Sequence, residues 1–136
     1  MSCDFAVWFP DRRLSGAEAG EVYRRLCEGN IEDVVPSAVV HAFYHELTAR
    51  HPEIDDIPEE EIDNHDLCPW SVALDRSPGH VIMACVWSKA DYVQGLIMGL
   101  ARQHGLAVYD PQSGKIIYPD DPLPGTERRR SRWRFW

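Results

Sequence analysis

The sequence has no C-x-x-C pair and no apolar run near the ~18–20 residues that span a bilayer. It also lacks a Gly-rich loop ending in Lys-Ser or Lys-Thr, so a P-loop nucleotide site is excluded. MSCDFAVWFP at the start has neither a basic flank nor a long apolar core, which argues against a secretory signal and reads instead as a first strand. Basic residues are absent from 52–69, and no internal repeat is visible. Cys3, Cys27, Cys68 and Cys85 are scattered, so reduced thiols in a cytoplasmic protein are the expectation, with no cofactor.

What is present suits one domain. The chain has 136 residues, 44% hydrophobic and 26% charged, enough to bury a core without disulfides or metals. Net charge is −8, unevenly spread. Residues 127–136 (ERRRSRWRFW) hold five Arg and one Glu, +4, which leaves 9 bases and 21 acids, −12, on residues 1–126. An acidic body repels nucleic acid and attracts basic partners. Residues 1–119 read as the folded domain and 120–136 as a loosely held Arg/aromatic tail, either solvated or docked on the acidic body.

Phe5, Val7 and Phe9 alternate with Ala6 and Trp8, a strand period ended by Pro10. Ser15 with Glu18 forms a capping-box pattern before a helix over about 16–28, stopped by Gly29-Asn30. A second helix follows Ser37, with Val39, Val40, Phe43, Tyr44 and Leu47 in one stripe, and ends near Arg50 because His51 precedes Pro52. Ser71–Leu74 reads as a short strand, and His80–Trp87 as a central one. A third helix is expected from a Ser88 cap with Asp91, stopping at Gly105. Gly95 and Gly99 inside it suggest close approach to a sheet or another helix. Leu106–Tyr109 and Lys115–Tyr118 form a hairpin through Asp110-Pro-Gln-Ser-Gly114. The order predicts an α+β fold, a ferredoxin-like β-α-(α)-β-β-α-β sandwich with an added C-terminal hairpin strand.

The connection PEIDDIPEEEIDNHDLCP, 52–69, holds eight acids between prolines. Its carboxylates, Glu53, Asp55, Asp56, Glu59, Glu60, Glu61, Asp63 and Asp66, repel one another. They are expected to stay in water on a long surface loop, with a short helix at 58–62 and an exposed Trp70 beside them. This is the candidate surface for a basic protein. The acids lack the alternate spacing and central Gly of an EF-hand. His41 and His45, at i and i+4, have zinc-ligand spacing, but the order H-x-x-x-H-E differs from a metalloprotease helix, and both lie opposite the apolar stripe. A third ligand would have to come from His51, His65 or Cys68. Cys68 itself follows a run of acids, an unfavourable setting for a nucleophilic thiolate.

Pro69-Trp70-Ser71, Val86-Trp87-Ser88-Lys89-Ala90, Ala101–Leu106 and Tyr109-Asp110-Pro111-Gln112 together resemble a group of small bacterial proteins without an assigned activity. The resemblance covers about residues 3–119 and excludes the tail. In size and acidity the chain is also similar to immunity proteins that neutralise secreted bacterial toxins. The first likeness carries no activity over; the second, with the acidic connection, implies a non-enzymatic binding protein with a basic partner such as a toxin. A second copy of the chain is another candidate partner, and a small metal-assisted hydrolase using the His pair is the alternative function.

Overall fold

A computed structural model of the protein describes residues 2–121. The Arg-rich segment 127–136 lies outside the described residues. The elements run β1 (Ser2–Trp8), α1 (Gly16–Cys27), α2 (Ala38–Arg50), two 3-10 turns (Ile54–Asp56 and Glu59–Glu61), β2 (Asp75–Ser77), β3 (His80–Val86), a third 3-10 turn (Trp87–Lys89), α3 (Ala90–His104), β4 (Ala107–Asp110) and β5 (Lys115–Ile117). The five strands form one antiparallel sheet in the order β2-β3-β1-β4-β5. The architecture is α+β, as the element order implies.

Both faces of the sheet are covered. Cys3, Phe5 and Val7 of β1 and Val81, Met83 and Cys85 of β3 pack with Val40, Phe43 and Leu47 of α2 and Val93, Ile97 and Leu100 of α3. Ala6 and Trp8 turn to the opposite face, where Ala19, Val22 and Leu26 of α1 meet Ala107 and Tyr109. The helix additional to a two-layer plan therefore covers the second face, and this explains why β1 reads FAVWF without a polar side. Trp8 stacks on Tyr109 with ring centroids 6.2 Å apart, and Tyr23 of α1 lies 5.4 Å from the same ring.

Local signals account for most element ends. The capping box at α1 is complete, with Glu18 N–H donating to Ser15 Oγ at 3.1 Å and Ser15 N–H to Glu18 Oε1 at 2.9 Å. At α3 the expected Ser88 cap does not form. Residues 87–89 wind a 3-10 turn, and the Ala90 N–H bonds the Trp87 carbonyl, so the backbone supplies the bond that a serine would. Gly105 ends α3 in the left-handed region, φ 71°. Gly95 and Gly99 do not mark close packing, since nothing lies within 4 Å of a side chain built at either. Gly79 does: a β-carbon there would sit 2.7 Å from the Val35 carbonyl oxygen.

The strand expected over 71–74 lies later. Trp70 forms an isolated bridge to Cys85, with Ser71 N–H bonding Ala84 O at 2.9 Å and Val86 N–H bonding Pro69 O at 2.8 Å. The chain then leaves the sheet edge so that Leu74 enters the core, and it rejoins at β2. The 110–114 hairpin forms as expected, with Gly114 at φ 71° and its N–H on the Asp110 carbonyl at 2.8 Å. Past the hairpin, the segment up to Asp121 is held. Asp121 accepts from the Tyr118 N–H at 2.9 Å and pairs with Arg13, and these contacts keep its carboxyl below the usual range.

Candidate functional site

The acidic connection is organised by its ends rather than left loose. His51, at the end of α2, is buried, and its two ring nitrogens lie 2.9 Å from the Leu67 carbonyl and 2.8 Å from the Tyr92 hydroxyl. The carbonyl can only accept, so Nδ1 carries the proton and Nε2 accepts from Tyr92. Its own backbone carbonyl accepts from the Trp70 indole at 3.0 Å. His51 thus joins α2, the far end of the connection and α3, and it is not free to ligate a metal. Ile54 and Ile57 add apolar contacts that press the 3-10 turns onto the core.

These anchors divide the eight acids. Glu53 accepts from the Tyr44 hydroxyl at 2.7 Å and from the Leu74 N–H at 2.9 Å, so both oxygens bind inside the protein. Glu61 receives the Asn64 amide at 3.1 Å. Asp66 pairs with Lys89, whose ammonium holds its carboxyl below the usual range. Asp55, Asp56, Glu59, Glu60 and Asp63 face water, with Ile62 exposed among them. Repulsion keeps this middle part wet, whereas Glu53 is a structural anchor instead of a contact residue.

Trp70 corrects the expectation most clearly. It is 1% exposed, edge-on to His51 at 6.4 Å and sealed in the main core. An indole there has no access to a partner. Among the described residues the exposed aromatics are Trp87, at 56%, and Tyr92, at 52%, on the 3-10 turn and first turn of α3. The VWSKA stretch held the signal: Trp87 follows a strand whose apolar run is already satisfied by its alternate residues, and its side chain is left outside the fold.

Around Trp87 the sequence motifs converge. Trp87, Ser88, Asp91 and Gln94 face Asp110 and Gln112 across an open cavity of about 280 Å³, with Cys3 and Phe5 at its base. Gln112 fixes this geometry. Its amide accepts from the Asp4 N–H at 2.9 Å and donates to the Asp4 carbonyl at 2.8 Å. The side chain therefore continues the sheet where β4 stops pairing with β1, which holds the DPQS turn beside Trp87. Asp110 accepts from the Gln112 and Ser113 side groups and shapes the turn. On the other side of Lys89 a second hollow, about 320 Å³, is lined by His65, Asp66, Lys89 and Tyr92. Exposed aromatic rings near Asp91 and Asp110 suit a cationic side chain, which such rings attract over their faces.

The remaining chemical candidates sit elsewhere. His41 and His45 are exposed and stack 5.2 Å apart. Among the described residues no group of three or more His, Cys, Asp or Glu side chains is placed to hold a metal ion. Cys68 is buried, and desolvation raises its thiol pKa; burial likewise pushes Cys85 up to about 12. Sequence reasoning passed over His80, which is 2% exposed. The Ser77 hydroxyl accepts from Gly79 N–H at 3.2 Å and shares a hydrogen bond with His80 Nδ1, 2.6 Å away, closing the β2–β3 turn. His80 Nε2 lies 3.9 Å from the Asp75 carboxylate, and burial lowers the ring's pKa despite that charge.

No protein-family model, curated protein or solved structure matches the chain. Among the described residues no helix is long and apolar enough to cross a membrane.

Proposed function

We propose that this protein is a non-enzymatic binding module that captures a basic protein partner on the face built from Trp87, Tyr92 and the acidic connection. The observation that carries the reading is the pair of half-exposed aromatic rings, with Asp91 and Asp110 beside Trp87. Interfaces draw most of their affinity from a few aromatic anchors, while surrounding charge speeds encounter and sets specificity. Trp87 and Tyr92 take the anchor role. Asp55, Asp56, Glu59, Glu60 and Asp63 supply the field. A toxin neutralised by a cytoplasmic immunity protein is the concrete form, in keeping with the acidity of the chain. The ferredoxin-like description of the scaffold belongs to the same proposal: β1, β2, β3 and β4 with α2 and α3 make the unit, α1 covers its other face and β5 extends it.

The test is retention of a partner by the tagged protein. A basic protein should be held at about 50 mM salt and released at about 500 mM, because the attraction is between exposed charges. Trp87→Ala should lose it at about 50 mM salt as well, since truncating a central anchor costs roughly 2 kcal/mol or more. If the retained protein is acidic, or Trp87→Ala holds it as well as the parent, the reading fails. A doubled mass in solution that Trp87→Ala abolishes would assign the same face to a second copy of the chain instead. Stoichiometric zinc lost on His41→Ala would favour the hydrolase alternative.

A further inference from the structure

A second site, of opposite electrical character, lies at the β2 edge of the sheet and shares no residue with the Trp87 face. α2 and β2 stand apart there and leave a groove of about 700 Å³. Small-molecule sites occupy about 300–1,000 Å³ and combine apolar walls with a few polar groups. Pro36, Ala38 and Pro78 give this groove apolar walls over the sealed side chains of Val40 and Val81, and His41, Tyr44 and Arg76 its polar groups.

Arg76 decides the chemistry. Its guanidinium carbon sits 3.9 Å from the centre of the Tyr44 ring, so the ring face holds it at the rim. Among the described residues it has no carboxylate within ion-pair distance, although the chain carries 22 acids. Glu53, which Tyr44 bonds, already has both oxygens engaged. Ser37 and Ala38 at the start of α2 line the same space, and α2 has no acid in its first turn, so its positive end adds to the same potential. The groove therefore combines one unpaired cation with apolar walls in a molecule of net charge −8. A dianionic phosphate would face that negative field with a single guanidinium to hold it. A singly charged carboxylate matches one fork-shaped cation.

We propose that the groove between α2 and β2 binds a monocarboxylate borne on an apolar body. Arg76 holds the carboxylate, and Pro36, Ala38 and Pro78 flank the body.

The experiment is a ¹H–¹⁵N NMR titration of the full chain with 2-naphthylacetate, alongside 2-naphthylethanol and acetate. Naphthylacetate should bind saturably and move the amides of Ser37, Ala38, His41 and Arg76. The neutral alcohol, and naphthylacetate with Arg76→Gln, should bind about tenfold or more weakly, the scale of one charge-assisted hydrogen bond. Acetate, lacking the body, should not saturate. Trp87→Ala should leave naphthylacetate binding unchanged, so failure at one face is separable from failure at the other. Shifts that map elsewhere, no saturation by about 10 mM (a ligand too weak for a real site), or equal binding by Arg76→Gln or the alcohol would overturn the proposal.

Discussion

Trp70 and Trp87 flank the same strand, yet they divide the molecule into what holds it and what it offers. Trp70 closes the core beside β3, its indole spent on the His51 carbonyl. Trp87 leaves the end of β3 with more than half of its surface in water. The acidic connection shows the same division: Glu53 binds inward to Tyr44 and Leu74, while the Asp55 and Asp56 side chains, in the turn that follows, face water. Residue type does not decide which role is taken. Satisfaction of the backbone and of alternate strand positions does.

That contrast can be broken most forcefully at the buried indole. Trp70→Ala should lower unfolding free energy by about 3–5 kcal/mol, the scale of a large aromatic truncated in a core. Trp87→Ala should change it by about 0.5 kcal/mol or less, as surface substitutions do. Urea denaturation of the two variants checks both. Comparable losses would mean that Trp87 supports the fold and is no anchor for a partner.

The acids give the next effect. Glu53→Ala strands a tyrosine hydroxyl and a backbone N–H and should cost roughly 1–3 kcal/mol. Neutralising Asp55, Asp56, Glu59, Glu60 and Asp63 together should leave stability nearly unchanged, or raise it slightly by relieving repulsion. It should slow association with a basic partner and flatten its salt dependence. Stopped-flow association across a salt series separates these outcomes.

A smaller effect concerns His80. Its folded pKa lies below the unfolded value of about 6.5. The unfolded chain therefore binds more protons between the two values, and stability rises with pH through that window. The contribution is complete above about pH 6.5 and is lost as pH falls toward the folded pKa. Thermal melts from pH 5 to 7.5 should show this slope, and His80→Gln should flatten it.

Much of the fold was legible because its signals are local. The Ser15–Glu18 box, the Gly105 stop and the Asp110–Gly114 turn each need only a few neighbouring residues, and each stands as read. What failed depended on distant partners. The strand near 71–74 was displaced because Leu74 is drawn into the core and its N–H is taken by Glu53, 21 residues earlier. Ser88 lost its cap to a backbone turn. Trp70 sits next to an acidic loop in sequence, which suggested exposure, but a bridge to Cys85 and the bond to His51 bury it. The acidity of the middle of the connection was plain from composition. The division of its carboxylates into anchors and free charges was not, since Tyr44, Lys89 and Leu74 come from other elements.

The most direct measurement of the account is an NMR titration with a short arginine-rich peptide. Shifts should concentrate on the Trp87 indole, on Tyr92 and on the amides of 55–66, and Trp87→Ala should remove the largest of them. Equal shifts at Glu21 and Glu32, on and beyond α1, or an unmoved Trp87 indole, would contradict it.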